Sequence, residues 1–166
     1  MKLNTDGASS RNLRLARGGV VIRDEEGNWV IGYARKIGSA NSFLAVLWAL
    51  WDGLFLCLQA QIHAVIIEMD AKAIVDAFSH QKNSNSIIFS LMDDCRQLVS
   101  QIPQSRFRHV YRKANRCADC LAKLCTSLDA DFTVFSNPPV DVFPFVEANC
   151  HGLYVNRLCL EPMFAV

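Results

Sequence analysis

The apolar and polar positions along this chain change period several times, and each change predicts an element. Lys2-Leu3-Asn4-Thr5-Asp6 has the character of a short strand and runs into Gly7-Ala8-Ser9-Ser10, a turn composition. After a basic loop with Arg11, Arg14 and Arg17, the runs Gly18 to Arg23 and Trp29 to Ile37 flank Asp24-Glu25-Glu26-Gly27-Asn28. Gly27 and Asn28 suit the positive φ of a hairpin turn, so the chain is predicted to begin with three antiparallel strands.

Phe43 to Leu58 is apolar on nearly every side and follows two capping residues, Asn41 and Ser42. A helix of that kind must be covered on most of its surface, which predicts a central core helix. It is broken by Asp52 and Gly53 and is shorter than the roughly 20 residues a bilayer requires, so no membrane span is expected. Ala64 to Met69 is a continuous β-branched run, as in a strand buried on both faces, and it is expected beside the first strand.

Helices are predicted over Ala71 to Ser79 and about Ser86 to Ile102, separated by a polar loop at 80–85, and Pro103 stops the second. Arg106 to Tyr111 alternates basic and apolar residues as a half-buried strand does, and Asn115 can cap a last helix reaching about Leu128. The order β-β-β-α-β-α-α-β-α predicts an α/β fold: a mixed five-stranded sheet, three antiparallel strands and then parallel additions, with helices on both faces. Residues 1–131 are read as this domain. Residues 132–166 are read as a Pro/Phe-rich extension, loosely held beyond Pro144.

At 166 residues, 51% of them hydrophobic, the chain has room for one well-buried core and no second full domain. Seven cysteines in irregular spacing, with no apolar leader after Met1, predict free thiols in a reducing compartment, nucleus or cytoplasm, and not a secreted protein. Cys117, Cys120 and Cys125 fall on one predicted helix without a second ligand pair, so they are read as small hydrophobes. The net charge is +1, but residues 129–166 hold five acids (Asp129, Asp131, Asp141, Glu147, Glu161) against Arg157, which leaves the body basic. A polyanion would approach it there.

Three aspartates fall at element boundaries: Asp6 after the first strand, Asp70 at the end of the fourth, Asp119 early in the last helix. Taken singly, each reads as a turn former or a cap. If the first and fourth strands are neighbours, Asp6 and Asp70 share one sheet edge, where like charges persist best beside a hard cation such as Mg²⁺ or Mn²⁺. Arg106, Arg108, Arg112, Lys113, Arg116 and Lys123 form the densest basic region, with Asp119 the one acid among them.

Four blocks resemble the motif set of type 1 ribonuclease H domains: Asn4-Thr5-Asp6-Gly7-Ala8, Ala45-Val46-Leu47-Trp48-Ala49-Leu50, Glu68-Met69-Asp70-Ala71, and His109 through Asp119. The chain is most similar to the ribonuclease-H-like domains of plant non-LTR retroelements, over about residues 1–146. That resemblance implies an RNA–DNA hybrid endoribonuclease in which four carboxylates hold two Mg²⁺ or Mn²⁺ ions. The first, third and fourth catalytic and metal-binding positions fall on Asp6, Asp70 and Asp119. The second falls on Val46, which can neither coordinate a metal nor accept a hydrogen bond.

No other carboxylate obviously replaces it. Asp52 lies about 240° round the helix from position 46. Glu68 is on the same strand face as Asp70 but about 6.6 Å farther along. Asn4, Ser9, Ser10, Asn41, Arg112, Lys113 and Arg116 are the expected nucleic-acid contacts, with little sequence specificity because hybrids are recognised by shape and 2′-hydroxyls. His109 is assigned to the strand ladder. A monomer is expected, acting either as a weakened hybrid ribonuclease or as a non-catalytic hybrid- or RNA-binding module.

Overall fold

The computed structural model describes residues 1–10, 15–79 and 87–150. Arg11, Arg14, the loop 80–85, Cys159 and the end of the extension lie outside the described residues. Strands β1 (Lys2–Ser9), β2 (Leu15–Arg23) and β3 (Trp29–Ser39) form the antiparallel start, with Gly27 at φ +91° in the hairpin. Asn28 does not take up positive φ. It binds Asp24 instead, its backbone N–H and side-chain amide each donating to that carboxylate at 2.8 Å.

Helix α1 (Ser42–Gln59) is followed by β4 (Ala64–Met69), α2 (Lys72–Ser79), α3 (Ile87–Ser100), β5 (Gln104–His109) and α4 (Arg116–Leu124). β4 joins β1 in parallel and β5 joins β4 in parallel. Asn41 caps α1 as expected, its side-chain oxygen accepting from the Leu44 N–H at 2.9 Å. By length and composition α1 could cross a membrane. Here its Leu47, Leu50 and Leu54 are fully buried with Leu3, Val20, Ile22 and Ile67 of the sheet, and α3 packs alongside.

The sheet has six strands, in the order β5-β4-β1-β2-β3-β6, which corrects the five-stranded expectation. The addition is β6 (Phe132–Phe135), which pairs antiparallel with β3 from Gly32 to Arg35. Trp29 Nε1 pins it by donating to the Phe135 carbonyl at 3.2 Å. Four residues are too few to show a period, so only the partner strand reveals this one. Helix α5 (Phe143–Cys150) then lies on the second face of the sheet, where Val142 and Val146 are buried with Val21, Cys117 and Leu121. Up to Cys150 the tail is therefore packed on the body, against the expectation of loose chain beyond Pro144.

β1 also runs farther than the turn-like Gly7-Ala8-Ser9 suggested, with Gly7 paired to Gly18 and Ser9 to Ala16. Gly7 answers to crowding and not to a turn. A Cβ on it would lie 2.7 Å from Val46 Cα, and nearer still to the Val46 nitrogen. Here α1 touches the strand backbone to backbone.

Candidate active site

Asn4 of β1 stands opposite Glu68 of β4 in a parallel pair, so Asp6 and Asp70, two residues farther along each strand, finish together at one end of the sheet. Asp6 pairs across to Gly19 of β2, and a Cβ on Gly19 would strike the Ala118 carbonyl and the Ala122 nitrogen. Helix α4 thus lies directly over this point and delivers Asp119 from its first turn. Val46, 6% exposed, reaches the same neighbourhood from the other side through its contact with Gly7.

Burial, then the charges of Asp70 and Asp119, push the Asp6 carboxyl up to about 7; the Gly7 N–H, donating to it at 2.9 Å, works in the opposite direction. Asp6 also shares a side-chain hydrogen bond with Asp119. Asp119 is held by Lys123 at 2.6 Å, and Arg112 Nε lies 3.6 Å from Asp70.

Asn115 does not cap α4 with its side chain. Fully buried, it donates instead to the Thr5 carbonyl at 2.9 Å and to Asp70 at 3.3 Å, so one amide spans β1, β4 and the start of α4. Its oxygen accepts from Asn4 at 3.3 Å. Asn4, expected at the nucleic-acid surface, is 1% exposed and lies inside this network. It donates to Glu68 at 3.0 Å and accepts from Arg23 at 2.6 Å. Glu68 accepts from Arg108 as well and lies 3.7 Å from Arg23. Both its oxygens are thus engaged within this network, one by Asn4 and one by Arg108. Asp52 is paired with Arg35 at 2.8 and 2.9 Å and points elsewhere, as its helical angle requires; burial holds its carboxyl above the usual range despite that arginine.

The remaining expected contacts surround the acids unevenly. Arg112, Lys113 and Arg116 are exposed, and the Arg116 guanidinium sits 4.1 Å from the ring centre of Phe145 in α5. Ser9 is half-buried and donates to the Ala40 carbonyl at 2.8 Å, Ser10 is half-buried, and Asn41 is exposed but occupied as a cap. His109 stacks edge-on with Tyr111 at 5.8 Å. Cys117 and Cys125 are buried and Cys120 is half-buried; all three are free thiols. The Arg23, Glu68 and Arg108 links escaped the sequence reading. The available signal was the parity of Arg23, which shares its strand face with the buried Val21 and so points toward the helix-covered side of the sheet.

Hard oxygen donors suit Mg²⁺ or Mn²⁺, and a cation beside Asp6 would relieve the repulsion that raises its carboxyl. Among the described residues, however, no three His, Cys, Asp or Glu side chains stand as a ready metal-binding set. Asp70 and Asp119 are engaged by Asn115, Arg112 and Lys123, and position 46 offers an alkyl group. Asp6 with Asp70 or Asp119 is the set that would hold a divalent ion. It does not fit a four-carboxylate pair of sites.

A mixed sheet of this topology with α1 and α4 on opposite faces defines a ribonuclease-H-like fold. The structure resembles RNase H1 from the archaeon Halobacterium salinarum with a TM-score of 0.71 at 24% identity, covering 78% of this chain and 98% of that one. It also resembles LC11-RNase H1, solved in complex with an RNA/DNA hybrid, with a TM-score of 0.67 at 26% identity, covering 74% and 93%. In sequence, residues 4–125 match the reverse transcriptase-like family, and the chain belongs to that family, within the ribonuclease H superfamily. A ribonuclease H protein of Arabidopsis thaliana is 34% identical over 139 residues, which is 84% of this chain and 22% of that protein. The chain therefore spans about a fifth of that relative.

Proposed function

We propose that this domain binds RNA–DNA hybrids across the end of the sheet where Asp6, Asp70 and Asp119 meet, and that replacement of the second carboxylate by Val46 leaves it little or no hydrolytic activity. The observation that carries this reading is the Asp6 environment. Asp6, Asp70 and Asp119 converge, with the exposed Arg112 3.6 Å from Asp70, while the fourth approach to the same point is alkyl. Support comes from the family and from the hybrid bound by LC11-RNase H1. The exposed cations supply phosphate contacts whose affinity falls with salt. Asn115 fixes the spacing of β1, β4 and α4 beneath the backbone, and Asp6, near neutrality, is able to hold or release a proton there. A divalent ion bound at Asp6, most simply Mg²⁺ or Mn²⁺, would neutralise the acids and activate a water.

The test is binding and cleavage of an end-labelled hybrid by the parent, Val46→Glu and Val46→Gln in Mg²⁺ or Mn²⁺. The parent should bind and cleave barely, Val46→Glu should cleave well above the parent, and the uncharged Val46→Gln should rescue little. Without metal, Val46→Glu should melt lower, because burying a further carboxylate costs on the order of a few kcal/mol. A parent that fails to bind hybrid at low salt ends the proposal.

A further inference from the structure

Arg17 of β2 is a cation close to the acids that the site described above does not use. It stands opposite Ala8 of β1, next along the same face from the Asp6–Gly19 pair. Residues directly opposed in a ladder present their side chains to one face, and Gly19 faces α4, so Arg17 points to the side that carries α4. Its side chain is half-buried there, and its charge acts with that of Lys36 on the Cys125 thiol just past the end of that helix. α4 runs in this direction: Asn115 bonds the Thr5 carbonyl, Asp119 shares a hydrogen bond with Asp6, and the Cys125 thiol donates to the Gly18 carbonyl at 3.9 Å.

A guanidinium taken partly out of water is ordinarily paired. Arg17 Nε is wholly buried and meets no acceptor, and among the described residues the side chain makes no ion pair. The cations around it differ. Lys36, its partner on β3, lies 3.8 Å from Asp131, and Lys123 holds Asp119 at 2.6 Å. Each has an acid of its own, and Arg17 is the unmatched charge. Leaving the present pose forfeits no bond at Nε, and a bidentate contact to an oxyanion would satisfy that donor. The way out lies over β1. The pairing of β1 with β4 ends at Asn4, and the residue opposite Arg17 is Ala8, whose side chain is a single methyl. An arginine side chain is long enough to cross the roughly 4.8 Å between neighbouring strands.

We propose that Arg17 is a phosphate-binding residue, which reaches over Ala8 to the nucleic-acid backbone lying across Asp6 and holds the phosphate next to the one at the acids. The assignment rests on the hybrid-binding reading above. Across this end of the sheet the order is Arg112 beside Asp70 at the end of β4, then Asp6 on β1, then Arg17 on β2. Cations therefore flank the acids on both sides, and the register of the backbone over Asp6 is set at two points. The planar fork of a guanidinium matches a phosphate in a way that a lysine at position 17 would not, although a lysine would keep the charge.

The experiment is fluorescence anisotropy across a salt series, with a blunt RNA–DNA hybrid and its RNA strand alone as probes, for the parent, Arg17→Met, Arg17→Gln and Arg17→Lys, beside thermal melts of each. Arg17→Met should bind the hybrid about ten-fold more weakly at low salt, with a salt slope shallower by about 0.9 for one lost phosphate contact. Its Tm should not fall, because the Nε it removes bonds nothing in the free protein. Arg17→Gln should lose the same slope and keeps the comparison open if the methionine variant does not fold, while Arg17→Lys should keep the slope. In hybrids carrying a single neutral methylphosphonate, moved along the backbone one position at a time, the parent should lose affinity at one position where Arg17→Met does not. A salt slope unchanged in Arg17→Met and Arg17→Gln, or a methylphosphonate pattern shared by parent and variants, overturns this assignment and leaves the hybrid reading standing. Binding of the RNA strand with an Arg17-dependent slope, without binding of the hybrid, does the reverse, and binding of neither probe overturns both.

Discussion

Asp6→Asn removes the charge at the most crowded acidic point of the protein while keeping an oxygen able to accept the Gly7 N–H at 2.9 Å. In the folded chain the Asp6 carboxyl is raised from 3.8 to about 7, first by burial and then by Asp70 and Asp119. The folded state therefore binds a proton more tightly than the unfolded one, so this group favours folding below about pH 4, and that contribution is lost as pH rises through 7. A difference of about 3 units, at 1.36 kcal/mol each, sets an upper bound of about 4 kcal/mol on the penalty at pH 8. Asn carries its own burial cost, so the net gain from Asp6→Asn at pH 8 should be roughly 2–4 kcal/mol, or about 5–15 °C in Tm for a chain of this size. Between pH 7 and pH 5 the gain should shrink by about 1.4 kcal/mol per unit. Thermal melts of parent and variant in EDTA at pH 5, 6, 7 and 8 read this directly. Melting curves that stay parallel across that range, whatever their offset, would refute the claim that Asp6 is held near neutrality by its neighbours.

Millimolar Mg²⁺ should raise the parent's Tm at pH 8 and leave Asp6→Asn nearly unmoved, because binding to the folded state relieves a repulsion the variant no longer has; equal shifts in both would put the ion elsewhere. Gly7→Ala should lower stability by more than about 2 kcal/mol in urea melts, since the new methyl overlaps α1 backbone and cannot rotate away. Asn115→Ala should cost about 1–3 kcal/mol by stranding the Thr5 carbonyl. Asn115→Asp should cost more at pH 8 than at pH 5, and a cost independent of pH would show that the position is not electrostatically joined to the acids.

Much of this protein is written in local pattern. The strand pair around Gly27, the Asn41 cap, the buried β4 run and the central helix follow from turn chemistry and periodicity, which act within a few residues. The family blocks likewise carried Asp6, Asp70, Asp119 and the departure at Val46. What the sequence could not settle depends on partners distant along the chain. Gly7 reads as a turn until α1 is seen against it, and Phe132–Phe135 reads as tail until β3 supplies its hydrogen bonds. Asn115 and Asn4 are polar residues suited to a cap and a surface, yet the fold buries both and joins them to Arg23, Glu68 and Asp70. A buried amide must be satisfied, and which groups satisfy it is decided by long-range packing and not by its neighbours in sequence. The same holds for Asp6: its charge is given by the sequence, and its titration by the parallel β1–β4 register and by α4 lying on Gly19.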